Sequence, residues 1–211
     1  MKQLLIIGAR GFGREVYNLF LECKRAGLDI ECKGFLDSQT DALKNYENYP
    51  SIISSVEDYE CQPDDVFVCA LGDVTYKKQY VNYMKEKGAQ FISLIHPDTK
   101  ISMNTTIGEG CVIREASSIS CDVKVGDFVT IMSYTVIGHD ASIGDWSHIG
   151  SHCFMGGFSK IKESVTMHPG ARLLPHKTVE EGAVIGAGSV VLNRVKKHTT
   201  VFGVPAKRIE F

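Results

Sequence analysis

Aliphatic side chains recur at every sixth position from Ile101 through Ile107, Ile113 and Ile119 to Ile185 and Val191, without an insertion. A second column stands two residues before each following aliphatic, from Thr105, Cys111 and Ser117 to Ser189 and Val195, and is small except at Lys177. Glycine often follows the aliphatic residue, as in "VGD", "IGHD" and "IGD". A period of six matches neither an amphipathic helix nor a half-buried strand. It predicts a parallel β-helix of hexapeptides. Both columns point inward, three sides make a coil of 18 residues, and glycine relieves the backbone at the corner. Coils then stack at the ordinary strand spacing, roughly 4.8 Å. Spacing leaves the handedness open.

Residues 1–97 follow another pattern. "QLLIIG" is a short, wholly apolar strand of the kind covered on both faces. Val16, Leu19, Phe20 and Cys23 then fall on one helical face, which Gly27 ends. "CKGFLD" is a second strand, closing at Asp37, and "DVFVCALG" a third. A helix carrying Tyr76, Tyr80 and Met84 on one side runs to Gly88, and "QFISLIH" completes the series. Such alternation predicts a small, Rossmann-like parallel sheet with helices on its faces. The chain therefore divides into an α/β domain over residues 1–97 and an all-β helix over residues 98–211.

Composition narrows the function. The 211 residues carry a net charge of −2, with 44% hydrophobic and 23% charged residues, which points to no nucleic-acid or membrane surface. No stretch approaches the ~20 apolar residues of a membrane span, and "LLIIG" enters the glycine turn without a signal-peptide layout. The 7 cysteines form no CxxC pair, which favours a reduced, cytoplasmic setting. Cys111 and Cys153 fall in the small inward column and Cys69 in a buried strand, so they read as core residues.

Two places carry candidate chemistry. The first is the turn Gly8, Gly11, Gly13, with Arg10 where a dinucleotide fingerprint has its second glycine. Exposed N–H groups at a helix start favour an anion, and Asp37 at the end of the second strand is placed to accept from a ribose or a base. The alternative is a turn that merely packs a helix on a sheet. A redox dinucleotide is the least favoured reading.

The second is "VIGHDASIGDWSHIGSHCFMGGF", residues 136–158. His139 stands two places after an inward aliphatic, at a corner facing out. One coil later stands Gly157, with Gly156 beside it, so backbone N–H groups lie open next to an imidazole. Asp140 is placed to orient the ring. On position alone, an idle surface histidine competes with a general base. His139, His148 and His152 do not converge within one coil, so no metal is expected. His148 lies half a coil from His139, and the two meet more readily through a neighbouring subunit.

With these motifs in place, the chain resembles the two-domain hexapeptide acyltransferases of bacterial sugar metabolism. That family includes nucleotide-linked amino-sugar N-acetyltransferases of the bacillosamine and perosamine type and sialic-acid O-acetyltransferases. The resemblance runs through "IIGARGFGREV", "FLD", "ALGD", "LIHPDT", "VIGHDASIGDWSHIG" and "VFGVPAKRI". It implies a left-handed β-helix, a homotrimer with active sites between neighbouring β-helices, acetyl-CoA as cosubstrate without a tightly bound cofactor, and a nucleotide sugar in the N-terminal domain. His139 matches the catalytic base and Asp140 its acidic partner. His148, Gly157 and Ala187 match contacts to acetyl-CoA. Gly11, Phe12, Gly13, Asp37 and Gly72 match the nucleotide-sugar site, with Phe12 standing where many relatives carry histidine. The implied reaction is acetyl transfer to a sugar amine by direct attack, with transfer to a sugar hydroxyl as the alternative. A non-catalytic trimeric scaffold is the rival from another class.

Overall fold

A computed structural model describes residues 1–209 of the chain, which divides into two compact units, Met1–Pro97 and Asp98–Phe211. In the first, β1 (Lys2–Ile7), β2 (Ile30–Leu36), β3 (Ile52–Ser54), β4 (Asp65–Cys69) and β5 (Gln90–Phe91) form a parallel sheet in the order β3-β2-β1-β4-β5. Helices α1 (Gly11–Arg25) and α2 (Val74–Glu86) follow β1 and β4. Leu4, Leu5, Ile6 and Ile7 have no exposed surface, as a centrally placed parallel strand requires.

The helix face read from Val16, Leu19, Phe20 and Cys23 is the buried face of α1. Two readings of this unit need correction. "QFISLIH" is no single strand: Gln90–Phe91 pairs with β4, and Leu94–Ile95 is a separate short strand, β6. The inward side of α2 is Lys77, Val81 and Met84, whereas Tyr76 is 59% exposed. The tyrosines gave the stronger apolar signal, but Val81 is the residue with no exposed surface.

The second unit is a left-handed parallel β-helix. Two-residue strands stack in parallel on three faces with partners 18 positions apart, for example Ile119 on Ile137 and Ile137 on Met155. From Ile113 to Val191 the aliphatic column is buried, and between Cys111 and Ser189 so is every member of the small column except Lys177. Full burial of each Ile or Val stabilises by about 1.5–3 kcal/mol. At the top the register contracts: Val184 pairs with Thr200 and Val179 bridges Val195, partners 16 apart. Val195, expected in the small column, therefore sits over an aliphatic position.

The corners work differently from the expectation. The residue in the left-handed region is the third after each aliphatic, and it is seldom glycine. Asp122, Phe128, Tyr134, Asp140, Trp146, His152 and Phe158 all take φ between 56° and 63°. The glycine directly after the aliphatic serves close approach instead. A Cβ at Gly138 would lie 2.7 Å from the Gly157 nitrogen, and one at Gly144 2.6 Å from the Glu163 nitrogen. Coil stacking, not backbone turning, selects glycine there.

Candidate active site

In the first unit, a cavity of about 480 Å³ opens at the carboxyl ends of β1, β2 and β4. Ligands of open α/β sheets bind at such an end, where the strand order reverses. Of the residues singled out from sequence, Phe12, Asp37 and Gly72 line it, together with Arg10, Tyr76 and Tyr80, which the sequence reading had not assigned to a site. Gly11 and Gly13 do not. A Cβ at Gly13 would lie 2.0 Å from the Gly8 carbonyl oxygen, so this glycine lets α1 pack against β1. Asp37 ties the loop down: its Oδ2 accepts from the Ala9 N–H and its Oδ1 from the Gln39 N–H, both at 2.9 Å. The two helix starts contrast. Asp73 caps α2 by accepting from the N–H groups of Thr75 and Tyr76, whereas α1 has no side-chain cap. The open N-terminus of α1 is the end suited to an anion.

In the second unit, three edges separate the three faces. His139 stands on one of them, with its side chain 56% exposed. Asp140 holds the ring, with its Oδ2 2.9 Å from Nδ1. That leaves Nε2 as the outward nitrogen, and it faces Gly157: a Cβ there would lie 2.8 Å from Nε2. Only glycine leaves the imidazole its place. The Gly157 N–H has no hydrogen-bond partner among the described residues. Phe158, which the sequence reading passed over, meets the imidazole at right angles, with centroids 5.2 Å apart. Its signal was present as the residue one coil and one place beyond the histidine.

His148 and Ala187 lie elsewhere. His148 occupies an outward strand position between Thr130 and Thr166, on the face opposite the His139 edge. Ala187 is exposed on the edge that carries Ser133 and His152. The structure thus brings together His139, Asp140 and Gly157, and leaves His148 and Ala187 outside that group. Burial pushes the thiols of Cys32, Cys69 and Cys153 up to about 11, away from nucleophilic use. Among the described residues, no three His, Cys, Asp or Glu side chains converge as metal ligands.

Comparison with known proteins bears on the fold of both units. Residues 3–84 match the model of the PglD N-terminal domain, and residues 86–187 that of the GMPPB C-terminal domain. The acetyltransferase domain of PglB from Neisseria gonorrhoeae superposes with a TM-score of 0.89 at 26% identity, over 99% of this chain and 100% of that one. The chain is thus similar along its length to two-domain hexapeptide-repeat acyltransferases. The PglB domain has also been solved in complex with acetyl coenzyme A. Among curated relatives, serine acetyltransferase from Escherichia coli is 54% identical over 48 residues, 23% of this chain and 18% of that protein. UDP-N-acetylbacillosamine N-acetyltransferase from Bacillus subtilis is 28% identical over 117 residues, 54% of this chain and 51% of that protein. The chain thus spans 18% and 51% of these two curated relatives. Among the described residues, no helix is long and apolar enough to cross a membrane.

Proposed function

We propose that the protein transfers the acetyl group of acetyl-CoA to the amine of a nucleotide-linked sugar. One observation carries the reading: an outward imidazole, held at Nδ1 by Asp140, faces a bare Gly157 whose N–H is unused. The amine nitrogen attacks the thioester carbonyl carbon while Nε2 of His139 takes its proton. The Gly157 N–H donates to the developing oxyanion. Collapse expels the CoA thiolate, which takes the proton back from the imidazolium. Asp140 fixes the tautomer and steadies the charged ring.

The cavity lined by Phe12, Asp37 and Gly72 takes the nucleotide sugar, with the uncapped start of α1 serving its phosphates. His148 and Ala187, lying away from His139 within one chain, serve acetyl-CoA bound between copies of a homotrimer. The same reading makes the protein cytoplasmic.

The test is thiol release from acetyl-CoA with a panel of 4-amino nucleotide sugars and sialic acids. His139→Ala should lose about 10² to 10⁴ in turnover, the usual share of a general base, yet still bind acetyl-CoA in calorimetry. Wild-type turnover in this variant refutes the base. Acetylation of hydroxyl acceptors alone refutes the amine. A sedimentation mass of a single chain refutes the trimer.

A further inference from the structure

We propose that Phe158 is a positioning residue that fixes the plane of the His139 ring for proton transfer, an inference that rests on His139 being the base. Asp140 holds the imidazole at one atom, Nδ1, and the side chain is more than half exposed. A single hydrogen bond leaves the ring free to pivot about it, and a pivot moves Nε2 relative to the Gly157 N–H. Phe158 closes that freedom. The two rings meet at 90°, an edge-to-face contact of the kind that aromatic quadrupoles favour.

Phe158 is itself fixed from both sides. Its N–H donates to the His139 carbonyl at 2.9 Å, and its ring lies parallel to that of His176, 4° off, at 5.0 Å. The other edges show that this contact is distinct. Phe128 on Trp146 and Tyr134 on His152 are parallel stacks between residues one coil apart, within a single column of corner residues. The His139–Phe158 contact crosses between two columns and is perpendicular.

The sequence of that column points the same way. Below Phe158 it reads Asn104, Asp122 and Asp140, residue types that tolerate the left-handed region. It changes to Phe158 and His176 only at the coil above the base. An aromatic side chain is costlier at positive φ than Asn or Asp, and Phe158 remains 44% exposed, so burial does not account for it. Phe128, Tyr134 and Trp146 take the same backbone on the other edges; what sets Phe158 apart is the perpendicular imidazole that its ring meets.

Three variants test the idea. Phe158→Leu keeps apolar bulk without a ring and should lower kcat about tenfold, because small misplacements of a catalytic group are costly, while KM for acetyl-CoA stays within about twofold. Phe158→Tyr retains the ring and should restore kcat. The carbon-bound proton signals of the His139 ring, assigned by their loss in His139→Ala, should shift in Phe158→Leu and keep their place in Phe158→Tyr. Wild-type kcat in Phe158→Leu, or a fall in kcat that tracks a lowered melting temperature and that Tyr does not rescue, overturns the proposal. His139→Ala with wild-type turnover overturns the base assignment and this inference together, whereas the first result overturns this inference alone.

Discussion

At the edge that carries Trp146, the second corner position on successive coils is Glu109, Asp127, Asp145, Glu163 and Glu181; at the His139 edge it is Met103, Cys121, His139, Gly157 and Pro175. The fold makes the same demand at both. The backbone N–H of this position has no coil-to-coil partner and needs an acceptor or solvent. On the Trp146 edge, side chains of the next coil supply one: the Glu109 N–H donates to Asp127 Oδ1 at 2.9 Å, and the Asp127 N–H to Asp145 Oδ1 at 2.8 Å. The rings beside them close the surface, with Phe128 and Trp146 stacked at 4.4 Å and Phe128 buried. On the His139 edge the acids are gone, the N–H of Gly157 is open, and an imidazole stands against it. On the proposed reading, a solenoid acquires a reactive corner by withholding the cap that its neighbouring edge uses.

The largest effect belongs to Gly157→Ala. The added Cβ would stand 2.8 Å from Nε2 of His139, so the ring must leave. Loss of the base and of the oxyanion donor's geometry together should lower kcat by at least the ~10² to 10⁴ of the base alone, with the coil intact by circular dichroism. The matched change on the other edge, Glu163→Ala, should leave kcat unaltered. Equal losses at both edges would erase the distinction.

Asp140→Asn comes next. Asn suits the left-handed backbone that Asp140 adopts at φ 57°, so the coil is unchanged while the negative charge beside Nδ1 is lost. Turnover should fall about tenfold to a hundredfold. The melting temperature should stay put, because a pair with side chains 56% and 41% exposed adds little to stability. Asp145→Ala is the converse. It uncaps the Asp127 N–H and should cost about 1 kcal/mol in urea unfolding, as loss of a helix cap does, with wild-type kcat. A melting loss in Asp140→Asn, or a kcat loss in Asp145→Ala, would blur the two edges.

Much of this was legible from the chain alone. The inward columns from Ile113 to Ile185 follow from the period of six, because buried aliphatic positions must repeat with the coil. The partnership of His139 with Gly157 follows from a spacing of 18. What the period does not encode is side-chain direction at a corner, so the perpendicular Phe158 ring was missed and glycine was credited with a turn that Asp140, Trp146 and their equivalents make. In the first unit, burial of Lys77 in place of Tyr80 was hidden because helix faces near a cavity carry apolar residues on both sides. The contraction to 16 residues at Val195 leaves no mark in residue type, since valine suits either column.

The smallest effect concerns the third edge, where a carboxylate is kept but serves the fold. Glu115 occupies the corner position that His139 has on its own edge. Burial alone would raise its pKa, but hydrogen bonds from Arg114 at 2.8 Å and from Ser133 at 2.7 Å prevail and lower it from 4.5 to about 2. A carboxylate depressed in the folded state contributes stability above its unfolded pKa, and that contribution drains away as pH falls from about 4.5 towards about 2. With the Glu115 side chain 33% exposed, solvent screening reduces the contribution to about 1 kcal/mol. Urea unfolding between pH 6 and pH 2.5 should therefore show a shallower acid slope in Glu115→Gln than in the wild type, with the two curves converging at the acid end. Parallel slopes would mean that Glu115 is an ordinary surface acid. The contrast between capped and reactive corners would then rest on Asp127 and Asp145 alone.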